Sequence, residues 1–298
     1  MLKFDPVPVI IAEIFAANTG GAATMSGDPP NIIIGTALGY NFTDFAANTG
    51  PIAWIGMLFT LAFFYFVFRK ALTSSQEKSD APTAKYPQPS EAILNPRLFR
   101  INAAIFVGVI VLIVTHAETG ISMALIGVIA AVVTLLVASR KALHIISRVD
   151  WRTLLFFIGL FICVGGLEVT GVLEMLANYI GTVSGGSLML VIPLILWISA
   201  FASAIVDNIP FAATMVPVII KLSKTAGLKL PTLAWTLALG TDIGGNATPI
   251  GASANVVGTA IAEREGHPIS WGRFCKYAIP ATIMVLGLCW LYLLIRYA

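Results

Sequence analysis

The chain has 298 residues, of which 57% are hydrophobic and only 11% are charged, and its mean hydropathy is +0.88. These values exclude an ordinary soluble domain and predict an all-α polytopic membrane protein. The net charge of +3 is small, and basic residues cluster between apolar runs, so nothing indicates a nucleic-acid partner. The three cysteines show no CxxC spacing, and neither a disulfide framework nor a zinc site is predicted.

Several apolar runs are suited to crossing a hydrocarbon core of about 30 Å as helices. Between the first two of them, residues 69–100 combine basic residues with four prolines, which predicts a cytoplasmic linker. The predicted spans are residues 51–68, 101–115, 121–138, 153–167 and 277–295.

Loop charges predict the orientation of these spans, because short cytoplasmic loops retain Lys and Arg. With the linker inside, the segments 38–50, 116–120 and 168–186 lie outside, and each lacks Lys and Arg. The basic segment 140–152 returns inside. We therefore expect an integral, multi-pass protein of the plasma (inner) membrane of a prokaryote.

A polar motif, GGAATMSGDPPNIIIGT at residues 20–36, has a second copy, GGNATPIGASANVVGTA, at residues 244–260. Segment 38–50 after the first copy lacks basic residues, whereas segment 263–276 after the second contains three. The flanking charges therefore predict that the copies have opposite orientations in the membrane. The matching residues, at one constant offset, are Gly20, Gly21, Ala23, Thr24, Gly27 and Asn31 with Gly244, Gly245, Ala247, Thr248, Gly251 and Asn255.

Inverted repeats with Gly- and Pro-interrupted helices are typical of secondary transporters, which bind substrate and coupling ion where the helices break. Unwound backbone is tolerated there because it is buried in protein or lines a wet cavity. Half-helix ends expose N–H and C=O groups to an ion, and Thr, Asn and Asp add side-chain ligands. The second broken helix is predicted at about residues 231–262.

A further irregular region, SAIVDNIPFAATMVP at residues 203–217, places Asp207 and Asn208 between two apolar runs. An intramembrane aspartate is costly and suggests a functional site, and Pro210 interrupts helical hydrogen bonding. We predict a re-entrant hairpin at about residues 187–222 with its tip at 207–210. This path places Lys221, Lys224 and Lys229 outside, against the charge rule, and gives an external C-terminus.

The strings NTGGAATMSGDPPNIIIG, VDNIPF, GGNATPIGASANVV and EREGHPISWGRFCKYAIP resemble the ion transporter superfamily. The similarity is closest to the branch of arsenite efflux permeases, NhaD-type sodium/proton antiporters and the melanosomal P protein, near the citrate carriers. It implies a scaffold domain and a transport domain that moves like an elevator. It also implies these substrate- or ion-binding residues: Asn18, Thr19, Thr24, Asp28, Asn31, Asp207, Asn208, Asn246, Thr248, Ser253 and Asn255. Within that set, Asp207, Asn208, Asn246 and Thr248 could hold Na⁺.

The predicted domains are residues 1–68, with the first broken helix and its following span; the linker 69–100; and residues 101–298, with the second repeat and scaffold helices. A member of this superfamily should carry an earlier hairpin before Asn18. We therefore expect the chain to be truncated at its N-terminus, either as a gene fragment or through a misplaced start, and a separately encoded N-terminal part is one candidate partner.

Each signal has an alternative interpretation. The Gly-rich breaks could be helix-packing kinks, and Asp28 and Asp207 could be helix caps rather than ion ligands. An intramembrane protease is disfavoured, because Gly27-Asp28 lacks the first glycine of GxGD, Met25-Ser26-Gly27 lacks that of GxSG, and no HExxH occurs.

The sequence predicts a non-enzymatic secondary transporter of a small anion of the arsenite, citrate or dicarboxylate class, coupled to Na⁺ or H⁺ by alternating access. A Na⁺/H⁺ antiporter is the alternative, as is a non-transporting fragment or partner subunit. No cofactor is expected besides the coupling ion. The expected partners are the lipid bilayer, the anion and, through the scaffold helices, a second copy of the chain.

Overall fold

The computed structural model describes residues 5–73, 93–149 and 151–298. All regular elements in these residues are helical, which confirms the all-α polytopic class. The helices are α1 Val7–Gly21, α2 Pro29–Leu38, α3 Phe42–Asn48, α4 Gly50–Thr73, α5 Pro96–Thr119, α6 Met123–Ala138, α7 Ala142–Ser147, α8 Trp151–Val169, α9 Val172–Ser184, α10 Leu188–Val206, α11 Asn208–Ala226, α12 Leu230–Gly244, α13 Ser253–Arg264 and α14 Trp271–Tyr297.

The chain forms two compact units. The described part of the first, residues 93–149 and 151–156, contains α5, α6, α7 and the beginning of α8. Asn95 begins α5 by accepting hydrogen bonds from the N–H groups of Arg97 and Leu98, both at 3.1 Å, and Pro96 occupies the first helical position. Apolar side chains on α5 and α6 are largely exposed, as suits contact with lipid.

The second unit, whose described residues are 5–73 and 157–298, contains the remaining helices and both copies of the polar motif. Helix α12 forms its centre, since every residue from Thr232 to Gly244 is buried. It packs against α10 most extensively and also against α11, α14, α2 and α1. Glycines allow the close approach: a Cβ on Gly244 would lie 2.2 Å from Cα of Ala200 in α10.

The described residues include five helices long and apolar enough to cross a membrane. Three of them, α4, α5 and α14, contain the predicted spans 51–68, 101–115 and 277–295. The other two are α10 and α11, each 19 residues long. At 1.5 Å per residue each extends about 28 Å, close to the hydrocarbon thickness.

The predicted hairpin tip coincides with the junction of α10 and α11 at Asp207, where φ is +86°. Because Pro210 has no N–H, it is expected to interrupt a helix, but no helix ends at this residue. It is the third residue of α11, where the backbone N–H groups have no partner within the helix in any case. How deep the tip lies in a bilayer stays a prediction.

Segment 168–186, predicted as an external loop, is mostly helix α9. The axes of residues 154–169 and 172–184 differ by 66°, so α8 and α9 could form one bent span. Helix α9 is amphipathic and buries Leu173, Ala177 and Ile180. Helices α4 and α5 both extend into segment 69–100, and the linker residues 74–92 lie outside the described part of the chain.

Candidate functional site: two helix breaks and their buried polar centre

The first break separates α1, which ends at Gly21, from α2, which begins at Pro29. The chain crosses itself tightly there, because a Cβ on Gly27 would lie 2.2 Å from the carbonyl oxygen of Gly21. Asn31 closes the loop: its Nδ2 donates to the carbonyl oxygens of Gly21 at 3.4 Å and Thr24 at 3.1 Å. The carbonyl groups freed by the break are thus partly satisfied by a side chain.

The second break, between Gly244 of α12 and Ser253 of α13, has the same construction. A Cβ on Gly251 would lie 2.5 Å from the carbonyl oxygen of Gly245. Asn255 donates from Nδ2 to the carbonyl oxygens of Gly245 at 2.7 Å and Thr248 at 2.6 Å. The repeat detected in the sequence is therefore also a repeat of hydrogen bonds at matching positions.

The two breaks are joined by a buried network of amide side chains. Nδ2 of Asn18 donates to Oδ1 of Asn246 at 3.0 Å and to Oδ1 of Asn255 at 2.8 Å. Asn246 in turn donates to the hydroxyl of Thr19 at 3.5 Å. All four predicted residues are at most 4% exposed, and each of these hydrogen bonds joins residues more than 220 positions apart along the chain.

The junction of α10 and α11 brings a further pair of predicted residues together. Asn208 donates from Nδ2 to Oδ1 of Asp28 at 3.2 Å. Asp28 occupies the N-cap position of α2 but its side chain makes no capping bond: Pro29 and Pro30 have no N–H to donate, and the N–H of Asn31 bonds the backbone carbonyl of Asp28 instead. The cap interpretation of Asp28 is therefore wrong for this structure.

Asp207, in contrast, acts as a helix cap. Its Oδ1 accepts a hydrogen bond from the backbone N–H of Ile209 at 3.2 Å, at the beginning of α11. The alternative interpretation of Asp207 as a structural carboxylate thus describes its contact in this structure. Its backbone, at φ +86° and ψ 141°, lies outside the left-handed helical region that Asp and Asn tolerate, so the junction is strained.

The remaining predicted residues contribute in different ways. Thr24 is half-buried and offers its carbonyl oxygen to Asn31, and Thr248 donates its hydroxyl hydrogen to the carbonyl oxygen of Ala204 in α10. Ser253 is exposed on the first turn of α13, and no hydrogen bond among the described residues connects it to the buried network. The structure therefore does not bring Ser253 into the amide cluster.

One buried carboxylate was not predicted as a site residue. Asp242, in the last turn of α12, is fully buried, and neither of its oxygens accepts a hydrogen bond from the described residues. The side chain of Asn31 lies beside it, and Asp28 is close enough for the two charges to interact. The offset that matches Gly20 with Gly244 also matches Asn18 with Asp242, and this signal could have identified it.

The charge of this centre is not balanced by basic side chains. Among the residues whose burial the structure describes, the buried polar set contains Asp28 and Asp242 but no Lys, Arg or His. Burying a carboxylate without a partner is costly, so such groups normally bind a cation or a proton.

The apolar helices and the paired breaks define a multi-pass membrane protein, and comparison with known proteins gives its family. A family model described as "Citrate transporter" matches residues 1–240, and the chain belongs to this family, which confirms the resemblance seen in its motifs.

Curated relatives agree with this assignment. A 46 kDa membrane protein of Mycobacterium leprae is 38% identical over 299 residues, covering 99% of this chain and 69% of that protein. An uncharacterized transporter of Mycobacterium tuberculosis is also 38% identical, over 298 residues and with the same coverages. The P protein of Sus scrofa is 29% identical, and its match covers 98% of this chain but 44% of that protein.

Proposed function

We propose that this protein is a secondary active transporter that moves a small anion of the citrate, dicarboxylate or arsenite class by alternating access, coupled to Na⁺ or H⁺. The observation that carries the proposal is the buried polar centre between the two breaks, where Asp28 and Asp242 have no buried basic partner among the described side chains. A centre of this composition favours binding of a coupling cation.

The anion has a different binding position in this proposal, at the first turn of α13. That helix begins without a side-chain cap, and Ser253 at its first position is exposed. Helix N-termini favour anions through free N–H groups and the helix dipole. The first turn of α2 is less suitable, since Pro29 and Pro30 supply no N–H. The name of the family, citrate transporter, supports an organic anion as cargo.

Transport by the purified protein in proteoliposomes tests the proposal. We expect uptake of labelled citrate, succinate or arsenite that depends on an imposed Na⁺ or proton gradient and stops when that gradient is collapsed. Ser253→Ala should weaken the uptake of the transported anion, whereas Ser187→Ala, before α10, should leave it unchanged. Folded protein that moves none of these anions under either gradient would contradict the proposal.

Na⁺/H⁺ antiport is the second candidate, and the same carboxylate-only centre favours it, because an antiporter needs cation ligands but no anion site. Na⁺-driven changes of internal pH in vesicles without any added anion would identify this activity. A gradient-dependent anion flux would favour the first proposal instead.

The quaternary structure and location also remain proposals. We propose a homodimer through the scaffold helices and a prokaryotic plasma membrane, which the mycobacterial relatives fit. Crosslinking in membranes tests the homodimer, and fractionation of cells tests the location.

A further inference from the structure

Two carboxylates from different copies of the repeat meet in the second unit. Asp28 precedes α2 in the first copy and is 6% exposed, whereas Asp242 belongs to α12 of the second copy and is 0% exposed. Their helices pack against each other, and their charges interact. Two buried carboxylates in proximity repel each other unless a cation or a proton lies between or on them.

The neighbouring amides leave oxygen atoms free. Asn31 donates both amide hydrogens to backbone carbonyl groups of its own break, and its Oδ1 has no partner in the described structure. Asn208 donates to Asp28, and its Oδ1 is likewise buried and unpaired. With both oxygens of Asp242, four buried acceptor atoms lack a donor in this region of the described chain.

Unpaired oxygens in this number are costly in a protein interior, since each buried polar atom without a partner destabilises the fold. Oxygen atoms from carboxylates and amides are also the ligands that hard cations bind. A cation among them would satisfy the free acceptors and neutralise the carboxylates at once.

We propose that Asp28 and Asp242, together with the amide oxygens of Asn31 and Asn208, form a cation site that Na⁺ and protons occupy in competition. Binding of Na⁺ releases the proton held by the carboxylate pair, and reprotonation of the pair releases Na⁺. This inference rests on the proposed function, and it places the coupling ion between the first break and the central helix α12.

The position differs from the Na⁺ set predicted from the sequence. In that set, Oδ1 of Asp207 accepts from Ile209, and Thr248 donates its hydroxyl hydrogen to the carbonyl oxygen of Ala204. Oδ1 of Asn246 accepts from Asn18. These atoms are already engaged, whereas Oδ1 of Asn208 is free and is shared by both assignments.

The other titratable groups around Asp242 do not supply a fixed positive charge. Helix α10 contains no titratable residue, and α1 contains only Glu13, which is exposed. Helix α14 places the thiol of Cys289 near Asp242. The charged groups of the remaining adjacent segments are Asp207 at the beginning of α11, Lys221 and Lys224 near its end, Lys229 before α12, and Arg273, Lys276 and Arg296 near the ends of α14.

Equilibrium binding of radioactive sodium to the purified protein in detergent tests the site directly. We expect saturable binding at alkaline pH that weakens at mildly acidic pH, because protons then compete. Asp242→Asn and Asp28→Asn should each weaken binding by roughly tenfold or more, since each removes one charged ligand. Glu174→Gln, which removes an exposed carboxylate from α9 of the same unit, should bind as the unchanged protein does.

Thermal unfolding in Na⁺ and in choline provides the second measurement and a control for folding. Na⁺ should raise the unfolding temperature of the unchanged protein and of Glu174→Gln but not of Asp242→Asn. If one aspartate variant does not fold, the other still tests the site.

The inference is overturned if both aspartate variants that fold bind Na⁺ normally, or if the unchanged protein binds none at either pH. Na⁺ binding without anion flux would contradict only the proposed anion transport. Na⁺-coupled anion flux that persists in Asp242→Asn would contradict only this site.

Discussion

The two helix breaks share a backbone design but differ in the residues that carry charge. In both, a pair of glycines six residues apart crosses closely, and an asparagine closes the loop onto two carbonyl oxygens. At two aligned positions the copies carry different residue types. Asn18 of the first copy aligns with Asp242 of the second, and Asp28 aligns with Ala252. The repeated residues therefore build the breaks, and the unmatched residues give each break its chemistry.

The contacts between the two copies also combine a repeated position with a difference in residue type. Asn18 of the first copy donates to Asn255 of the second, and the matching pair, Asp242 and Asn31, also lies side by side. In one pair an amide donates to an amide oxygen and the hydrogen bond is complete. In the other a carboxylate faces an amide whose hydrogens are already used, and oxygens remain free. The contact between Asn18 and Asn255 is thus complete in its hydrogen bonding, whereas the contact between Asp242 and Asn31 leaves oxygen atoms that a cation can bind.

The largest effect is expected where the two breaks are alike. Gly27→Ala and Gly251→Ala should each destabilise the protein by roughly 3 kcal/mol or more, because the added Cβ meets a backbone oxygen that cannot move aside. Gly287→Ala in α14, where no atom lies within 4 Å of the added Cβ, is the matched control. Thermal unfolding in detergent measures the difference, and normal unfolding of both variants would contradict the shared design.

Substitutions at the matched positions 18 and 242 should act in opposite directions. Asn18→Asp loses both hydrogen bonds donated by the amide and should cost about 1–3 kcal/mol. Asp242→Asn removes a buried charge whose oxygens accept no hydrogen bond from the described residues. We therefore expect its unfolding temperature in Na⁺-free buffer to be equal or higher. Destabilisation by both changes would show that Asp242 has a structural partner.

Substituting the two asparagines that close the breaks should destabilise the protein to different extents, by a smaller margin than the changes above. Asn255 makes shorter bonds to its break than Asn31 and also accepts a bond from Asn18. Asn255→Ala should therefore cost roughly 1 kcal/mol more than Asn31→Ala. Asn178→Ala, on an exposed position of α9, controls for the change in helix propensity. An equal or larger cost for Asn31→Ala would reverse this part of the comparison.

The smallest effect concerns an ion pair that connects the beginning of the first broken helix to α14. Asp5 pairs with Arg273 and accepts a bond from the N–H of Val7. Partial burial acts to raise the pKa of Asp5, but the hydrogen bonds from Arg273 and Val7 outweigh it and hold that pKa below its ordinary value.

A lowered pKa in the folded state stabilises the fold above the unfolded pKa, and this stabilisation is lost as pH falls through the folded value. Because the pair is partly exposed, Asp5→Asn should cost at most about 1 kcal/mol at neutral pH and less in high salt. Unfolding measured against pH should show the two proteins converging in acid. Glu265→Gln, in an exposed pair with Arg264, is the control, and a constant difference at all pH values would contradict the ion-pair explanation.

The features predicted from the sequence are those encoded locally. Glycine spacing located both breaks, and the Asp207-Asn208 pair located the junction of α10 and α11. Helix α9 was missed because its apolar residues follow helical spacing over only 13 residues, too few for a span. The contact between Asn208 and Asp28 joins residues 180 apart, and sequence patterns do not determine such packing. Asp242 lies two residues before the recognisable motif, and although the repeat offset pairs it with Asn18, only its burial and free oxygens show that it belongs to the site.

A structure of the Na⁺-loaded protein, compared with one in choline, tests the central claim most directly. The account predicts an ion density in Na⁺ coordinated by oxygens of Asp28 and Asp242 and absent in choline. An ion held instead by Asp207 and Thr248, with both oxygens of Asp242 hydrogen-bonded to protein groups, would contradict it.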